Sequence, residues 1–182
     1  TPRPGEVDWK RYGDYLWSKR SYEDFEITFD YKHEKGGNSG FYFNVPDRQQ
    51  AVGAVVEVQI RDSAGIKEID AHAITGGVLP GVAPRVNATR PAGEWNQMVI
   101  ECSLDMVTVW VNGDLVNEGY DCTASSGQIA IQAEGAPCEF RRLELVPFSR
   151  DGADQRGDED QPVGLDHLQH EFTPSGSKAT PR

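Results

Sequence analysis

Val107-Thr108-Val109-Trp110-Val111-Asn112-Gly113-Asp114-Leu115-Val116 decides the fold class. A run of β-branched and aromatic residues leads into Asn-Gly, which supplies two positive-φ positions for a two-residue turn, and a second apolar run follows. The stretch predicts a tight antiparallel hairpin. Outward from it, from Phe25 to Val146, apolar and polar residues alternate with period two, and no segment sustains a helical period. The predicted strands are 25–31, 41–45, 55–60, 98–102, 106–111, 128–132 and 139–146, short runs separated by Gly- and Asn-bearing breaks. That pattern predicts an all-β, two-sheet antiparallel sandwich.

Residues 62–90 hold several Gly and Pro with weak alternation and are expected to form a long ordered loop over one sheet, the kind of segment that often frames a site. Past Val146 the composition shifts to Asp, Gln, Gly, Pro and Ser, so the expected division is a sandwich domain over 1–148 and a polar, flexible tail over 149–182. Within the tail, Val163, Leu165, Leu168 and Phe172 could form a short apolar stripe able to dock.

The length of 182 residues suits one domain. With 29 acidic against 18 basic residues the formal charge is −11, which repels a phosphate backbone and argues against nucleic acid as a partner. No apolar run reaches the roughly 20 residues needed to cross a bilayer as a helix, and no charged-then-apolar leader opens the chain, so a mature or trimmed soluble product without membrane insertion is expected. Cys102, Cys122 and Cys138 lack zinc-site spacing; they read as buried thiols or as one disulfide with a thiol left over. The oligomeric state is not written in these features.

In Val56-Glu57-Val58-Gln59-Ile60-Arg61, alternation sends Val56, Val58 and Ile60 to the core and Glu57, Gln59 and Arg61 to the other face. A carboxylate, an amide and a guanidinium in a row form a donor and acceptor set suited to sugar hydroxyls or to a developing oxyanion. The competing reading is a solvated face with a local Glu–Arg pair. By the same alternation Ile129 and Ile131 point inward, and Gln128, Ala130, Gln132 and Glu134 outward. If both strands share a sheet, Glu57, Gln59, Arg61, Gln132 and Glu134 converge on one shallow groove.

Lys35-Gly36-Gly37-Asn38-Ser39-Gly40 reads as a turn, with Asn38 and Ser39 as hydrogen-bonding groups that could approach a ligand. His72 opens the Gly/Pro excursion beside Glu68 and Asp70, while His167 and His170 could share a metal only on a helical tail. Trp9, Trp17, Trp95 and Trp110 are core residues or stacking platforms, and Tyr15 and Trp17, beside Lys19 and Arg20, are expected to show an edge at the surface.

Several stretches, in order, resemble one family: Gly13-Asp14-Tyr15-Leu16-Trp17-Ser18-Lys19-Arg20-Ser21-Tyr22-Glu23-Asp24-Phe25-Glu26, residues 36–43, Glu57-Val58-Gln59-Ile60, Pro91-Ala92-Gly93-Glu94-Trp95-Asn96, Gln132-Ala133-Glu134-Gly135 and Glu139-Phe140-Arg141. Together they resemble the bacterial 3-keto-disaccharide hydrolase family from about Gly13 to Val146. The resemblance implies a laminin-G or concanavalin-like jelly roll, exported to the periplasm or secreted, that cleaves 3-keto-glycosides by hydrolysis or by C2-proton abstraction and β-elimination. It implies Glu57 as general acid or base, with Glu134 and His72 as further catalytic candidates. Asn38, Ser39, Gln59, Arg61 and Gln132 would bind the carbohydrate partner. No metal ligand set and no cofactor is identified, although a divalent metal could stabilise the enolate. A non-catalytic, lectin-like carbohydrate-binding module is the alternative on the same scaffold.

Overall fold

The computed structural model describes residues 15–46, 56–79, 81–119, 126–132, 134–148 and 172–174, with the backbone alone for 134–135 and 172–174. The strands are β1 (Leu16–Tyr22), β2 (Phe25–His33), β3 (Gly37–Val45), β4 (Val56–Arg61), β5 (Val78–Leu79), β6 (Asn96–Ser103), β7 (Met106–Val111), β8 (Asp114–Gly119), β9 (Gly127–Ile131), β10 (Glu134–Gly135), β11 (Cys138–Pro147) and β12 (Phe172–Pro174). They build two antiparallel sheets. Sheet A runs β12-β1-β9-β3-β4-β5, with β10 also pairing β3, and sheet B runs β11-β2-β6-β7-β8. No helix among the described residues is long and apolar enough to cross a membrane.

Alternation explains which faces meet. Phe25, Ile27, Phe29 and Tyr31 on β2, and Met98, Ile100 and Cys102 on β6, face Phe41, Phe43, Val58, Ile60, Ile129 and Ile131 of sheet A in one buried cluster. Phe29 and Phe41 stack across the sheets with ring centroids 5.8 Å apart. Each such side chain contributes roughly 1.5–3 kcal/mol by leaving water. The result is the two-sheet jelly-roll sandwich that the alternation and the resemblance predict.

The Asn-Gly hairpin forms where the sequence places it. Asn112 and Gly113 take φ of 53° and 89°, and Val111 pairs Asp114 across the turn. All seven predicted strands appear, some longer than expected. The largest extension is β3, which starts at Gly37 and absorbs Asn38, Ser39 and Gly40, so the turn is confined to Lys35-Gly36.

Four strands were not visible in the pattern: the two-residue β5 and β10, and β1 and β12. β1 carries a register irregularity between Trp17 and Ser21, with Lys19, Arg20 and Ser21 exposed in succession, which erases the alternation. β12 lies in the stretch expected to be a free tail, yet Phe172 pairs Ser18 and Pro174 pairs Leu16. Main-chain groups at the β1 edge can accept an extended segment of nearly any composition, so a polar sequence does not betray it. Val163, Leu165 and Leu168 lie outside the described residues, as does the rest of 149–182.

The 62–79 excursion returns along β4 and is tied down. Thr75 Oγ1 accepts from the Arg61 amide and donates to the Arg61 carbonyl, both at 2.8 Å, and Ile74 is fully buried. Asn117 Nδ2 donates to Gly76 O and Val82 O, both at 3.0 Å. These bonds fix the backbone around His72 against the sheet that carries Glu57.

Candidate functional site

The outward face of sheet A is organised in three rows set by the strand registers. Trp17, Ala130, Tyr42 and Glu57 stand side by side across β1, β9, β3 and β4. Gln132, whose backbone N–H donates to Gly40 O at 2.8 Å, then Gly40 and Gln59 form the second row. Glu134, Asn38 and Arg61 form the third. From strand rise and spacing the rows span about 13 Å along the strands, the second and third reaching about 10 Å across them and the four-strand first row about 14 Å. Glu57, Gln59, Arg61 and Gln132 therefore share a face, as alternation predicts, with Val58 and Ile60 fully buried on the other.

At the centre stands Gly40. A Cβ built there would meet Glu57 Oε1 at 2.2 Å, so the Glu57 carboxylate leans across the space a side chain would fill. Tyr42, its cross-strand neighbour, hydrogen-bonds to that carboxylate. Gln132 Nε2 in turn donates to Tyr42 Oη at 3.2 Å and to Tyr15 Oη at 3.0 Å. Tyr15, Trp17, Tyr42, Val45 and Ala130 pack together as a second small apolar cluster on this face.

Burial, and then the negative charge of Glu57 and the neighbouring Tyr15, push the Tyr42 phenol far above the ordinary tyrosine value. Tyr42 is thus a permanent neutral donor to Glu57 and not a base. The linkage has a definite sign: the folded state keeps a proton that the unfolded chain releases near pH 10, so this stabilisation is complete below about pH 10 and is lost as pH rises above it, by about 1.4 kcal/mol per pH unit. Tyr31, raised chiefly by burial, adds to the same alkaline decline. Chemical denaturation between pH 9 and about 11.5 should show a shallower decline for Tyr42→Phe than for the parent chain; equal slopes would contradict the assignment.

Among the described residues, no donor reaches Asn38 Oδ1 or Gln132 Oε1, both buried on this face, and Gln132 is only 6% exposed. Leaving a buried acceptor unsatisfied costs about 1–3 kcal/mol. Arriving hydroxyl donors would relieve that cost.

Other expected site residues have different roles. Ser39 belongs to the inward set of β3; it is 1% exposed and its hydroxyl donates to Gln132 O at 2.7 Å, so it supports the strand pairing rather than facing a ligand. Gln59 is on the right face, but its amide is engaged at both ends: Nε2 donates to His72 O at 2.9 Å and Oε1 accepts from Ile60 N at 3.1 Å. It anchors the excursion instead of binding substrate. Arg61 Nη1 donates to the same His72 carbonyl at 3.2 Å, and its exposed side chain keeps its remaining N–H groups for solvent or ligand.

His72 contributes to this arrangement through its carbonyl; its exposed side chain makes no hydrogen bond or ion pair with the described residues. Glu134 stands in register opposite Asn38, and its side chain is outside the description. Tyr15 and Trp17, expected to show an edge, are 1% and 0% exposed, because both belong to the outer-face cluster. Trp9, His167 and His170 lie outside the described residues.

The residues that sequence reading missed are Tyr42 and Gly40. Both lie in Asn38-Ser39-Gly40-Phe41-Tyr42-Phe43-Asn44, where the parity of Phe41 and Phe43 is the one signal that places Gly40 and Tyr42 on the opposite face. Thiol chemistry is poorly served. Cys102 and Cys138 form no disulfide among the described residues, and burial, with Glu139 adding to it, pushes the Cys138 thiol up to about 12; Cys122 lies outside the described residues. No group of three or more His, Cys, Asp or Glu among the described residues is placed to hold a metal ion.

Known proteins agree with this architecture. The profile of the 3-keto-alpha-glucoside-1,2-lyase-like domain matches residues 5–146. A provisionally assigned glycosyl hydrolase from Parabacteroides distasonis superimposes with a TM-score of 0.66 at 23% identity, covering 74% of this chain and 83% of its own. A second such protein from the same organism gives 0.65 at 20% identity, covering 74% of each chain. At these identities the likeness is one of fold. Among curated proteins, none matches the chain.

Proposed function

The chain belongs to the 3-keto-alpha-glucoside-1,2-lyase-like domain family, a membership that assigns it a carbohydrate-related activity, and on that premise we propose that it cleaves the glycosidic bond of 3-keto-glycosides on the outer face of sheet A. The observation that carries the reading is the Glu57 carboxylate, held by Tyr42 over the bare Gly40 position, with the unsatisfied acceptors of Gln132 and Asn38 in the next two rows of the same face.

A ketone at C3 acidifies the C2 hydrogen. Glu57 takes that proton, and the C2–H electrons move to give an enolate at the C3 oxygen. Collapse of the enolate forms the C1–C2 double bond and breaks the C1–O bond, and the departing oxygen leaves with a proton. Water added across the double bond would make the net result hydrolysis. Arg61 supplies positive charge and free N–H donors for the enolate oxygen. Asn38 Oδ1 and Gln132 Oε1 accept from sugar hydroxyls, and Tyr42 fixes the carboxylate through its hydrogen bond. His72, exposed on the tethered excursion, serves as proton donor to the leaving oxygen. On this reading the site of action is the periplasm or outside the cell.

The full chain should release the aglycone from a chromogenic 3-keto-glucoside and leave the unoxidised glucoside intact. The same assay with a chelator reports whether a divalent metal stabilises the enolate. Binding of unmodified glycans without turnover of any keto-sugar would replace this reading with the lectin-like one.

A further inference from the structure

Sheet B turns a second polar surface outward, on the opposite side of the sandwich from Glu57. It holds a hollow of about 320 Å³ lined by Asp30, Arg90, Trp95, Gln97, Arg141 and Arg142, among others. Three guanidiniums face one carboxylate there, in a chain whose formal charge is −11.

Two of the guanidiniums, those of Arg141 and Arg90, are held by hydrogen bonds. Arg141 lies with Cζ 3.7 Å from the Trp95 ring centroid, and its Nε donates to Asp30 Oδ2 at 3.0 Å. Asp30 is itself only 7% exposed. With one face on the indole and the Nε edge on a buried carboxylate, the Nη edge of Arg141 is left presented in a fixed direction. Arg142 Nη1 approaches the same Asp30 oxygen at 3.6 Å while its side chain stays 75% exposed. A register irregularity between Arg141 and Glu144, with Arg142 at φ 50°, interrupts the alternation that would send two successive residues to opposite faces, so both reach one aspartate. Arg90 Nη1 donates to Trp95 O at 2.9 Å. Beneath them, Asn112 Nδ2 donates to Asn96 Oδ1 at 2.8 Å, which ties the Asn-Gly hairpin to β6 as a rigid floor.

Arg90 and Arg141 are thus each anchored through one nitrogen and keep other N–H donors, and the exposed Arg142 guanidinium stands beside them. We infer that this hollow is a second ligand site that takes the carboxylate of an acidic sugar, a uronate unit. A carboxylate matches the planar guanidinium fork in bidentate fashion. The exposed Gln97 amide stands beside it for ring hydroxyls, and the volume lies at the lower end of ordinary small-ligand pockets, about 300–1,000 Å³. The site stands on the other sheet and does not depend on the reading of Glu57.

The test is titration of the full chain with trigalacturonate, followed by calorimetry, beside maltotriose, acetate and inorganic phosphate. Trigalacturonate should bind, more weakly as salt rises, and the other three should not compete at equal concentration. Arg142→Gly removes one guanidinium at a backbone conformation glycine accepts, and should weaken binding at least tenfold while leaving thermal stability near that of the parent. Glu57→Gln should bind trigalacturonate as the parent does. Absence of binding, equal binding of phosphate or acetate, or an Arg142→Gly chain that binds like the parent would overturn the proposal.

Discussion

Glu57→Gln is expected to slow cleavage of a 3-keto-glucoside by on the order of 10²- to 10⁴-fold, the usual contribution of a positioned general base. The amide keeps the size of the carboxylate and can still accept from Tyr42, so the outer face of sheet A should hold its shape. Thermal stability and affinity for the keto-sugar should therefore change little. Steady-state kinetics separates the effects: the loss belongs in kcat, with KM near the parent value. A loss confined to KM would make Glu57 a binding residue and move the base elsewhere, with Glu134 and His72 the next candidates.

Gly40→Ala is the second large effect, and it acts without touching a reactive group. The added Cβ would stand 2.2 Å from Glu57 Oε1, 3.0 Å from its Cδ and 3.1 Å from its Cγ. The contacts all belong to one side chain, so the strand is spared and the carboxylate must swing away from Tyr42. A displacement of this size costs roughly 10²-fold in rate when orientation matters. Replacing a strand glycine by alanine lowers the entropy of the unfolded chain by about 0.5–1 kcal/mol, which offsets the crowding and keeps the melting temperature close to that of the parent. Because the substitution works through Glu57, the Gly40→Ala and Glu57→Gln double variant should be no slower than Glu57→Gln alone. Full additivity of the two losses would show that Gly40 matters for some other reason.

These two residues also mark how far the sequence could be read. Glu57, Gln59 and Arg61 fall on one face by period-two alternation alone, and the Asn112-Gly113 turn is fixed by the need for positive φ at both positions, which the structure shows. Gly40 was hidden because glycine ordinarily breaks a strand. Here it sits in a central strand where a neighbouring side chain needs its space. A turn has no faces, so its sequence does not assign Ser39 a side; in the strand Gly37–Val45, parity sends Ser39 inward with Phe41 and Phe43.

Gln59 shows a different limit. Its face follows from alternation, but its partner, the carbonyl of His72, comes from a loop whose path depends on hydrogen bonds through Thr75, Asn117 and Asp70. No local pattern encodes those long-range bonds. β12 is hidden for a related reason: its pairing with β1 runs through the main chain, which every residue carries.

The central claim is that the outer face of sheet A removes the C2 proton of a 3-keto-glycoside. Its most direct test is to compare release of the aglycone from a 3-keto-glucoside carrying hydrogen or deuterium at C2, under saturating substrate. The account predicts slower release from the deuterated substrate where enolate formation limits the rate, or, where enolate formation is reversible and precedes C1–O cleavage, solvent hydrogen at C2 of the substrate recovered unreacted. Equal rates for the two substrates, with no solvent hydrogen at C2, would contradict it.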